Sequence, residues 1–236
     1  MDMLKKMILQ VFVALYRIRH PFSLGKVKFR NGGSALFPSI RIKTYNCLSI
    51  SNDGFVYMGG VKMKGKNNSV EVEGLLYKSL LEMDGQGCSV IIGKKSNIKN
   101  TKIVIRGNNN VLKIGEDSTF GSGCWIVLMG DNNKIEIGKD CMIADNVDIW
   151  ASDSHPIFSD MGCNKIINPS GSICLSDHVW LGKKSTVLKN VKIGKNSIIG
   201  IGSQITRDIP EGCIAVGNPA KVVKEGINWS RKHINA

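Results

Sequence analysis

A six-residue period in the C-terminal half of the chain constrains the fold more than any other feature. Branched aliphatic residues recur there at every sixth position: Leu175, Leu181, Val187, Ile193, Ile199 and Ile205. An α-helix would repeat a stripe about every seven residues, and a half-buried strand alternates every two. Period six therefore predicts short strands joined by tight turns, three to a triangular coil, with one aliphatic side chain per side pointing inward.

The same period appears upstream in three shorter sets that begin 22 and 23 residues apart. The sets are Ile92, Ile98 and Val104, then Ile114, Phe120 and Ile126, then Ile137, Ile143 and Ile149. Turn-forming clusters at residues 107–110 and 130–133 supply the extra residues of each coil at one corner. Such coils bury their aliphatic residues only by stacking on one another. The sequence thus predicts an all-β solenoid with a continuous core.

The predicted organisation has four parts. These are an amphipathic helix over residues 1–20, irregular β coils over 21–84, the regular solenoid over 85–209 with an interruption at 151–171, and a tail over 210–236. The helix is too short to cross a bilayer. Either it packs on the domain, or residues 3–19 lie on an anionic membrane surface with their basic side chains facing the headgroups.

Charge and cysteine usage narrow the partners and the compartment. The 32 Lys and Arg residues outnumber the 19 Asp and Glu, for a net charge of +13. This excess favours an anionic membrane, a phosphate-bearing cofactor or an acidic polysaccharide; without a nucleic-acid-binding motif, nucleic acid is not expected. Seven cysteines without CxxC spacing indicate free thiols in a reducing compartment, hence the cytoplasm. No metal site is apparent in the spacing of His, Asp and Cys.

Four elements, in the same order, resemble the hexapeptide acyltransferases over about residues 88–226. They are the loop Ser152-Asp153-Ser154-His155-Pro156-Ile157, the segment Val179-Trp180-Leu181-Gly182, the stretch 199–210 and the tail Gly217-Asn218-Pro219-Ala220-Lys221. Within this superfamily the chain looks most like the O-acetyltransferases of bacterial capsular polysaccharides, including those acting on sialic acid polymers, whose tail resembles Trp229-Ser230-Arg231-Lys232. The resemblance implies a left-handed parallel β-helix, a homotrimer with active sites between subunits, and acetyl transfer from acetyl-CoA to a sugar hydroxyl.

The interruption at 151–171 contains the predicted catalytic residue, His155. A sugar hydroxyl needs a base to accept its proton as it attacks a thioester, and imidazole suits that task near neutral pH. Asp153 either orients the imidazole or is a turn residue. Trp180 is expected to form a wall of the active site, and the oxyanion would be met by the indole N–H or a backbone N–H near Lys183.

The resemblance also implies a binding site for acetyl-CoA. Its residues, carried over by position, are Gly182, Lys183, Gly200, Ile201, Gly202 and Thr206 along the pantetheine arm, with Lys221 and Lys224 at the phosphates. One departure concerns the acceptor: simple sugar acetyltransferases have an asparagine where this chain has Cys124. A larger or anionic glycan is therefore the expected acceptor. Two alternatives stay open, an N-acyltransferase for an aminosugar nucleotide or antibiotic and a non-catalytic β-helix scaffold.

Overall fold

The computed structural model describes residues 27–36, 38–43, 45–159 and 165–234. Over these ranges every helix or strand that is assigned is a β-strand. The helix predicted over residues 1–20 lies outside the described residues, and so does Cys163.

The described chain winds through eight coils of three strands each and ends in a hairpin. The first four coils contain β1 (Val27–Phe29), β2 (Ser34–Leu36), β3 (Ser39–Ile42), β4 (Cys47–Ile50), β5 (Phe55–Tyr57), β6 (Gly60–Lys66), β7 (Ser69–Val72), β8 (Leu75–Tyr77), β9 (Leu80–Gln86), β10 (Ser89–Ile92), β11 (Asn97–Lys99) and β12 (Lys102–Arg106). The next four contain β13 (Val111–Ile114), β14 (Thr119–Phe120), β15 (Trp125–Met129), β16 (Lys134–Ile137), β17 (Met142–Ile143), β18 (Asp148–Trp150), β19 (Ile173–Leu175), β20 (Trp180–Leu181), β21 (Thr186–Leu188), β22 (Val191–Ile193), β23 (Ile198–Ile199) and β24 (Gln204–Ile205). The hairpin strands are β25 (Ile214–Gly217) and β26 (Ala220–Lys224).

The first, second and third strands of successive coils pair into sheets A, B and C. Sheets A and C have eight parallel strands each, and sheet B has ten because β25 and β26 extend it. Only β26 runs antiparallel to its neighbour among the paired strands of the described chain. The chain passes from sheet A to B at the first corner, from B to C at the second, and from C to the next sheet A strand at the third. The predicted all-β parallel β-helix is confirmed.

The core follows the six-residue period. All six aliphatic residues of the C-terminal set are at most 1% exposed. Each stacks on its equivalents in neighbouring coils, as Ile149 does between Ile126 and Val187. Burying a side chain of this size contributes roughly 1.5–3 kcal/mol. Small residues such as Ser185 and Ser197, fully buried, close the corners.

The prediction that Val104 points into the core is wrong. Ile103 and Ile105 belong to the core cluster, and they pair with Ile126 and Leu128 of the next coil. The second corner of this coil is one residue shorter than that of the next, so the aliphatic spacing falls from six to five. Because side chains alternate along a strand, a shift of one residue moves Val104 to the outer face of sheet C.

The coils before residue 85, expected to be irregular, continue the same ladders. Leu48 pairs with Val70, and Val70 with Val90, in unbroken parallel register. Short corners hide the period in this region, because the buried residues Val72 and Leu76 are only four positions apart. A search for a six-residue spacing therefore fails although the coil geometry is the same.

Candidate active site

The interruption at 151–171 is a loop that leaves the solenoid at the third corner of the sixth coil. Gly171 donates its N–H to the carbonyl of Ala151 at 2.9 Å, which closes the neck of the loop. Farther out, Ile167 donates to the carbonyl of Ile157 at 2.8 Å. The loop therefore has a closed base and an internal bridge, which fix its stem on the rigid solenoid.

His155 is held through its backbone and exposes its ring. Its N–H donates to the carbonyl of Asp153 at 2.8 Å, and its own carbonyl accepts a hydrogen bond from Asn168 Nδ2 at 2.9 Å. The residue is exposed. The imidazole is thus presented on a fixed backbone, which is the arrangement that a general base needs to meet a second molecule.

Asn168 organises the loop although no sequence pattern indicated it. Its Oδ1 accepts the N–H of Ile157 at 2.6 Å, while Nδ2 donates to Asp153 Oδ2 and to the His155 carbonyl, both at 2.9 Å. One amide side chain therefore joins both strands of the stem. The sequence shows only that Asn168 is a polar residue inside the interruption. Its partners could not be predicted, because they lie 11 to 15 residues away along the chain.

The carboxylate of Asp153 contacts Lys189 rather than the ring of His155. Lys189 Nζ lies 2.5 Å from Asp153 Oδ2 and 3.1 Å from the Asn168 carbonyl. Partial burial raises the pKa of the Asp153 carboxyl, but the hydrogen bonds from Lys189 and Asn168 and the charge of Lys189 outweigh it, so the pKa lies below its ordinary value. The described contacts of Asp153 with His155 run through the backbone turn.

Trp180 lies at a different corner from His155. It begins β20 beside the first corner, half-buried, with its ring 5.8 Å from that of Trp229. His155 follows β18 at the third corner, where sheet C gives way to sheet A. A single chain therefore does not bring these two predicted residues to the same corner.

Several residues predicted to bind acetyl-CoA gather at the second corner. Gly182 and Lys183 form the turn of the seventh coil, and the segment 200–202 forms the turn of the eighth. The N–H of Gly202 donates to the Lys183 carbonyl at 2.9 Å, which joins the two turns. Ile201 is 78% exposed, an unusual position for an isoleucine.

This corner has a backbone N–H that fits a ligand carbonyl. Two coils earlier, the N–H of Ser122 is capped by the carboxylate of Asp145, which belongs to the coil between them, at 2.8 Å. In the next coil, the residue at the position equivalent to Lys183 is Ile201, whose side chain has no hydrogen-bond acceptor. Among the described residues, the N–H of Lys183 has no hydrogen-bond partner. An uncapped N–H beside an exposed aliphatic side chain suits an amide-containing acyl chain such as pantetheine.

The tail residues of the prediction divide among three places. Lys221 and Lys224 stand on β26, whose hairpin reaches the same corner through a 3.0 Å bond from the Gly217 N–H to Ser203 Oγ. Thr206 is exposed after β24, at the far edge of sheet C toward the third corner. The structure therefore brings Lys221, which pairs with Val216, to the second-corner turns. Lys224 pairs with Ile214 at the first-corner end of sheet B, and Thr206 lies apart from both.

An aromatic pair on the outer face of sheet C was missed by the sequence analysis. Trp125 and Trp150 meet edge to face with ring centroids 4.9 Å apart. Trp150 stands five positions before His155, so the pair lies at the foot of the loop. Beside it, Asp148 is half-buried, and burial raises the pKa of its carboxyl. The sequence signal for this surface was the alternation of inward and outward residues in β15 and β18, which places both tryptophans on the outer face of sheet C.

Cys124 is buried inside the solenoid, with its Sγ 3.2 Å from the carbonyl of Ala144. Burial raises the pKa of its thiol to about 11. It is therefore neither a nucleophile near neutral pH nor in reach of an acceptor at the surface.

Metal-binding clusters and membrane-spanning helices are both absent from the part of the chain that the structure describes. No group of three or more His, Cys, Asp or Glu side chains there is arranged to hold a metal ion. Nothing helical within the same ranges has the length and apolarity that crossing a lipid bilayer requires.

Two solved structures that resemble this chain are both polysialic acid acetyltransferases. The crystal structure of the polysialic-acid-specific acetyltransferase NeuO superposes with a TM-score of 0.66 at 32% identity, covering 88% of this chain and 84% of NeuO. The polysialic acid O-acetyltransferase OatWY superposes with a TM-score of 0.69 at 28% identity, covering 89% and 93%. No protein-family profile matches the chain.

Curated sequences point the same way over shorter spans. A polysialic acid O-acetyltransferase of Escherichia coli O1:K1 is 37% identical over 142 residues, 60% of this chain and 45% of that protein. The galactoside O-acetyltransferase of Escherichia coli K12 is 37% identical over 92 residues, 39% of this chain and 44% of that protein. The alignments thus span less than half the length of these curated relatives.

Proposed function

The chain belongs to the hexapeptide-repeat acetyltransferases, and from this premise we propose that it is an O-acetyltransferase of a bacterial capsular or O-antigen polysaccharide. The donor is acetyl-CoA, which supplies an activated acetyl thioester. The acceptor is a hydroxyl of an anionic glycan, a choice supported by the net charge of +13 and by the polysialic acid specificity named for NeuO and OatWY.

The observation that carries the proposal is the presentation of His155. Its backbone is bonded on both sides, to Asp153 and to Asn168, while its ring is exposed on a loop that interrupts a regular solenoid. His155 accepts the proton of the attacking sugar hydroxyl and afterwards returns it to the departing sulfur. Lys189 holds the carboxylate of Asp153 and so fixes the turn on which the histidine stands.

The donor site is proposed at the second corner. Lys183 and Ile201 contact the pantetheine arm, since the N–H of the first is uncapped and the side chain of the second is exposed. Gly182, Gly200 and Gly202 keep this surface free of bulk. Lys221 and Lys224 of the C-terminal tail meet the phosphates, and Thr206 lies farther along sheet C.

The working enzyme is proposed to be a homotrimer in which two chains complete each site. His155 stands at the third corner and Trp180 at the first, so a site that uses both needs a neighbouring copy. Mixing inactive His155→Ala and Trp180→Ala chains should restore part of the activity, because some sites of a mixed trimer then contain one intact residue from each. No recovery on mixing, in trimers that demonstrably exchange subunits, would place both residues on one chain.

We further propose a cytoplasmic enzyme whose residues 3–19 contact the inner membrane. Binding of the full chain to vesicles with and without anionic lipid tests this contact. Loss of binding on replacing Lys5 and Lys6 by Glu would support it, and unchanged binding would reject it.

The test of function is thiol release from acetyl-CoA with a panel of capsular and O-antigen oligosaccharides. We expect release with one glycan, its disappearance in His155→Ala, and its retention in His233→Ala, which removes another exposed histidine. Acetylation of amine acceptors alone would favour the N-acyltransferase. Failure of the protein to bind CoA would reject both enzyme hypotheses and favour a non-catalytic scaffold.

A further inference from the structure

The C-terminal tail returns along the solenoid as a strap, defined here as residues 226–232. It starts at the end of the last coil, where the Ile227 N–H donates to the carbonyl of Gly212 at 2.9 Å. From there it runs against the direction of coil growth along the first corner. Trp229 contacts the seventh coil, and Arg231 reaches the sixth and the fifth.

Trp229 is locked to His178 by three contacts. The two rings stack with centroids 3.9 Å apart and planes 7° from parallel. The indole Nε1 donates to the His178 carbonyl at 2.9 Å, and His178 Nε2 lies 3.0 Å from the Trp229 carbonyl. Trp229 is only 9% exposed although it lies outside the coils. Such burial of an indole at the edge of a solenoid shows that its orientation is fixed.

Arg231 anchors the end of the strap. Its Nε donates to Asp140 Oδ1 at 2.6 Å, and Nη1 donates to Thr119 Oγ1 at 2.9 Å. His178 Nδ1 lies 2.8 Å from the other oxygen of Asp140. The two ring nitrogens of His178 thus each lie within hydrogen-bond distance of an oxygen, one of Asp140 and one of the Trp229 backbone. The backbone bond of Ile227 therefore holds one end of the segment that carries Trp229, and the ion pair of Arg231 with Asp140 holds the other.

This cluster adjoins Trp180. Trp180 follows His178 by two residues, and its ring lies 5.8 Å from that of Trp229 at an angle of 50°. In sheet B its ladder neighbours are Met142 and Ile198. Met142 is a flexible thioether and Ile198 is a small aliphatic side chain beside an indole, so Trp229 is the aromatic wall next to Trp180.

We infer that Trp229 is a positioning residue for Trp180, and that Asp140, His178 and Arg231 hold it in place. The inference rests on the proposed function, in which Trp180 forms a wall of the active site. Reacting groups tolerate little displacement, so an indole on a sheet surface needs a fixed neighbour to select one rotamer. The C-terminal strap supplies that neighbour from residues far away in the chain.

The test compares Trp229→Leu and Arg231→Met with Arg106→Met, which removes an exposed arginine of β12. We expect kcat to fall on the order of tenfold in the two strap variants, as for a displaced active-site group. KM for acetyl-CoA should stay near the wild-type value, because the second corner is untouched. Arg231→Lys should recover part of the lost kcat, and Arg106→Met should resemble wild type.

Near-ultraviolet circular dichroism gives a readout that does not depend on turnover. Coupling between Trp180 and Trp229 should disappear in Trp180→Phe and in Trp229→Leu, and should weaken in Arg231→Met, which keeps both rings. Unchanged kcat in Arg231→Met with a lost coupling signal would overturn the inference, as would a lower melting temperature with full activity per folded molecule. A wild-type chain that acetylates no acceptor would refute the proposed function, and the spectra would still decide whether the strap orders Trp180.

Discussion

The side-chain amide of Asn168 donates to the carbonyl of His155 at 2.9 Å and bridges the two strands of the loop stem. This bond holds the backbone of the proposed base from outside its own turn. The loop thus depends on a residue 13 positions farther along the chain.

Replacing Asn168 by Ala should lower kcat by about tenfold, because the loop loses three hydrogen bonds and His155 loses its fixed position. Steady-state kinetics with saturating acetyl-CoA measure the effect. Asn108→Ala, which removes an exposed asparagine that bonds the backbone of Gln86 at the same corner of an earlier coil, is the matched control. Equal activity of the two variants would contradict the role given to Asn168.

Replacing Lys189 by Met should loosen the loop through a different contact. The ammonium group bonds Asp153 Oδ2 at 2.5 Å and the Asn168 carbonyl at 3.1 Å. We expect kcat to fall by roughly threefold to tenfold, with little change in the KM of acetyl-CoA. Lys192→Met, on the exposed side of the neighbouring strand β22, should keep wild-type kinetics. A larger effect on KM than on kcat would argue that Lys189 binds a substrate instead.

Asp140 makes stability depend on pH in the acid range. Partial burial raises the pKa of its carboxyl, but the hydrogen bonds and charges of Arg231 and His178 outweigh it, so the folded pKa is lowered. Such a group stabilises the fold above its ordinary pKa, and the contribution is lost as pH falls through the lowered value. Asp140→Asn should therefore lower the melting temperature at pH 7, and the difference should shrink below about pH 4. A difference that is constant with pH would mean that the ionised carboxylate contributes nothing.

The ionised carboxylate of Asp148 should lower the stability of the fold at neutral pH, which is opposite to the effect of Asp140. Burial raises the pKa of its carboxyl in the folded chain, so ionisation at neutral pH costs stability, and that cost disappears as pH falls toward the ordinary pKa. Asp148→Asn should raise the melting temperature by on the order of 1 °C at pH 7 and leave it unchanged near pH 3. Thermal unfolding at both pH values decides this, and destabilisation at pH 7 would show that the carboxylate has a partner.

Cys124 should resist alkylation in the folded protein. Its buried thiol has a pKa of about 11, so iodoacetamide at pH 8 finds almost no thiolate. Mass spectrometry should detect modification of Cys124 only after denaturation, while the half-buried Cys47 and Cys174 react earlier. Cys124→Ala should keep kcat, and a loss of turnover without unfolding would reopen a covalent mechanism.

The repetitive part of the fold was predictable because its cause is local. The six-residue spacing alone was enough to predict that Leu181 and Ile199 point inward, and both are fully buried. Val104 shows the limit of this reasoning, since the loss of one corner residue reversed its direction. Periodicity records orientation only while the corners keep a constant length.

The candidate site was less predictable because its contacts are not periodic. The loop and His155 stood out as an interruption, but the hydrogen bonds of Asn168 depend on how the interruption folds back. Arg231 reaches Asp140 across 91 positions and Thr119 across 112. No pattern within a short window connects residues so far apart, although Trp229 and Arg231 had drawn notice as a shared tail motif.

The reversal of direction between β25 and β26 has a consequence for solubility. A parallel solenoid leaves an open strand edge at its last coil, and such edges recruit other chains into fibrils. Here the edge of sheet B is occupied by β26, which runs antiparallel to its neighbour and carries the exposed Lys221. A lysine on an edge strand discourages the approach of another β-strand. The tail that we assign to phosphate binding therefore also hinders the addition of another chain at this edge of sheet B. Variants that remove the charges of Lys221 and Lys224 should accordingly be made and stored at low protein concentration.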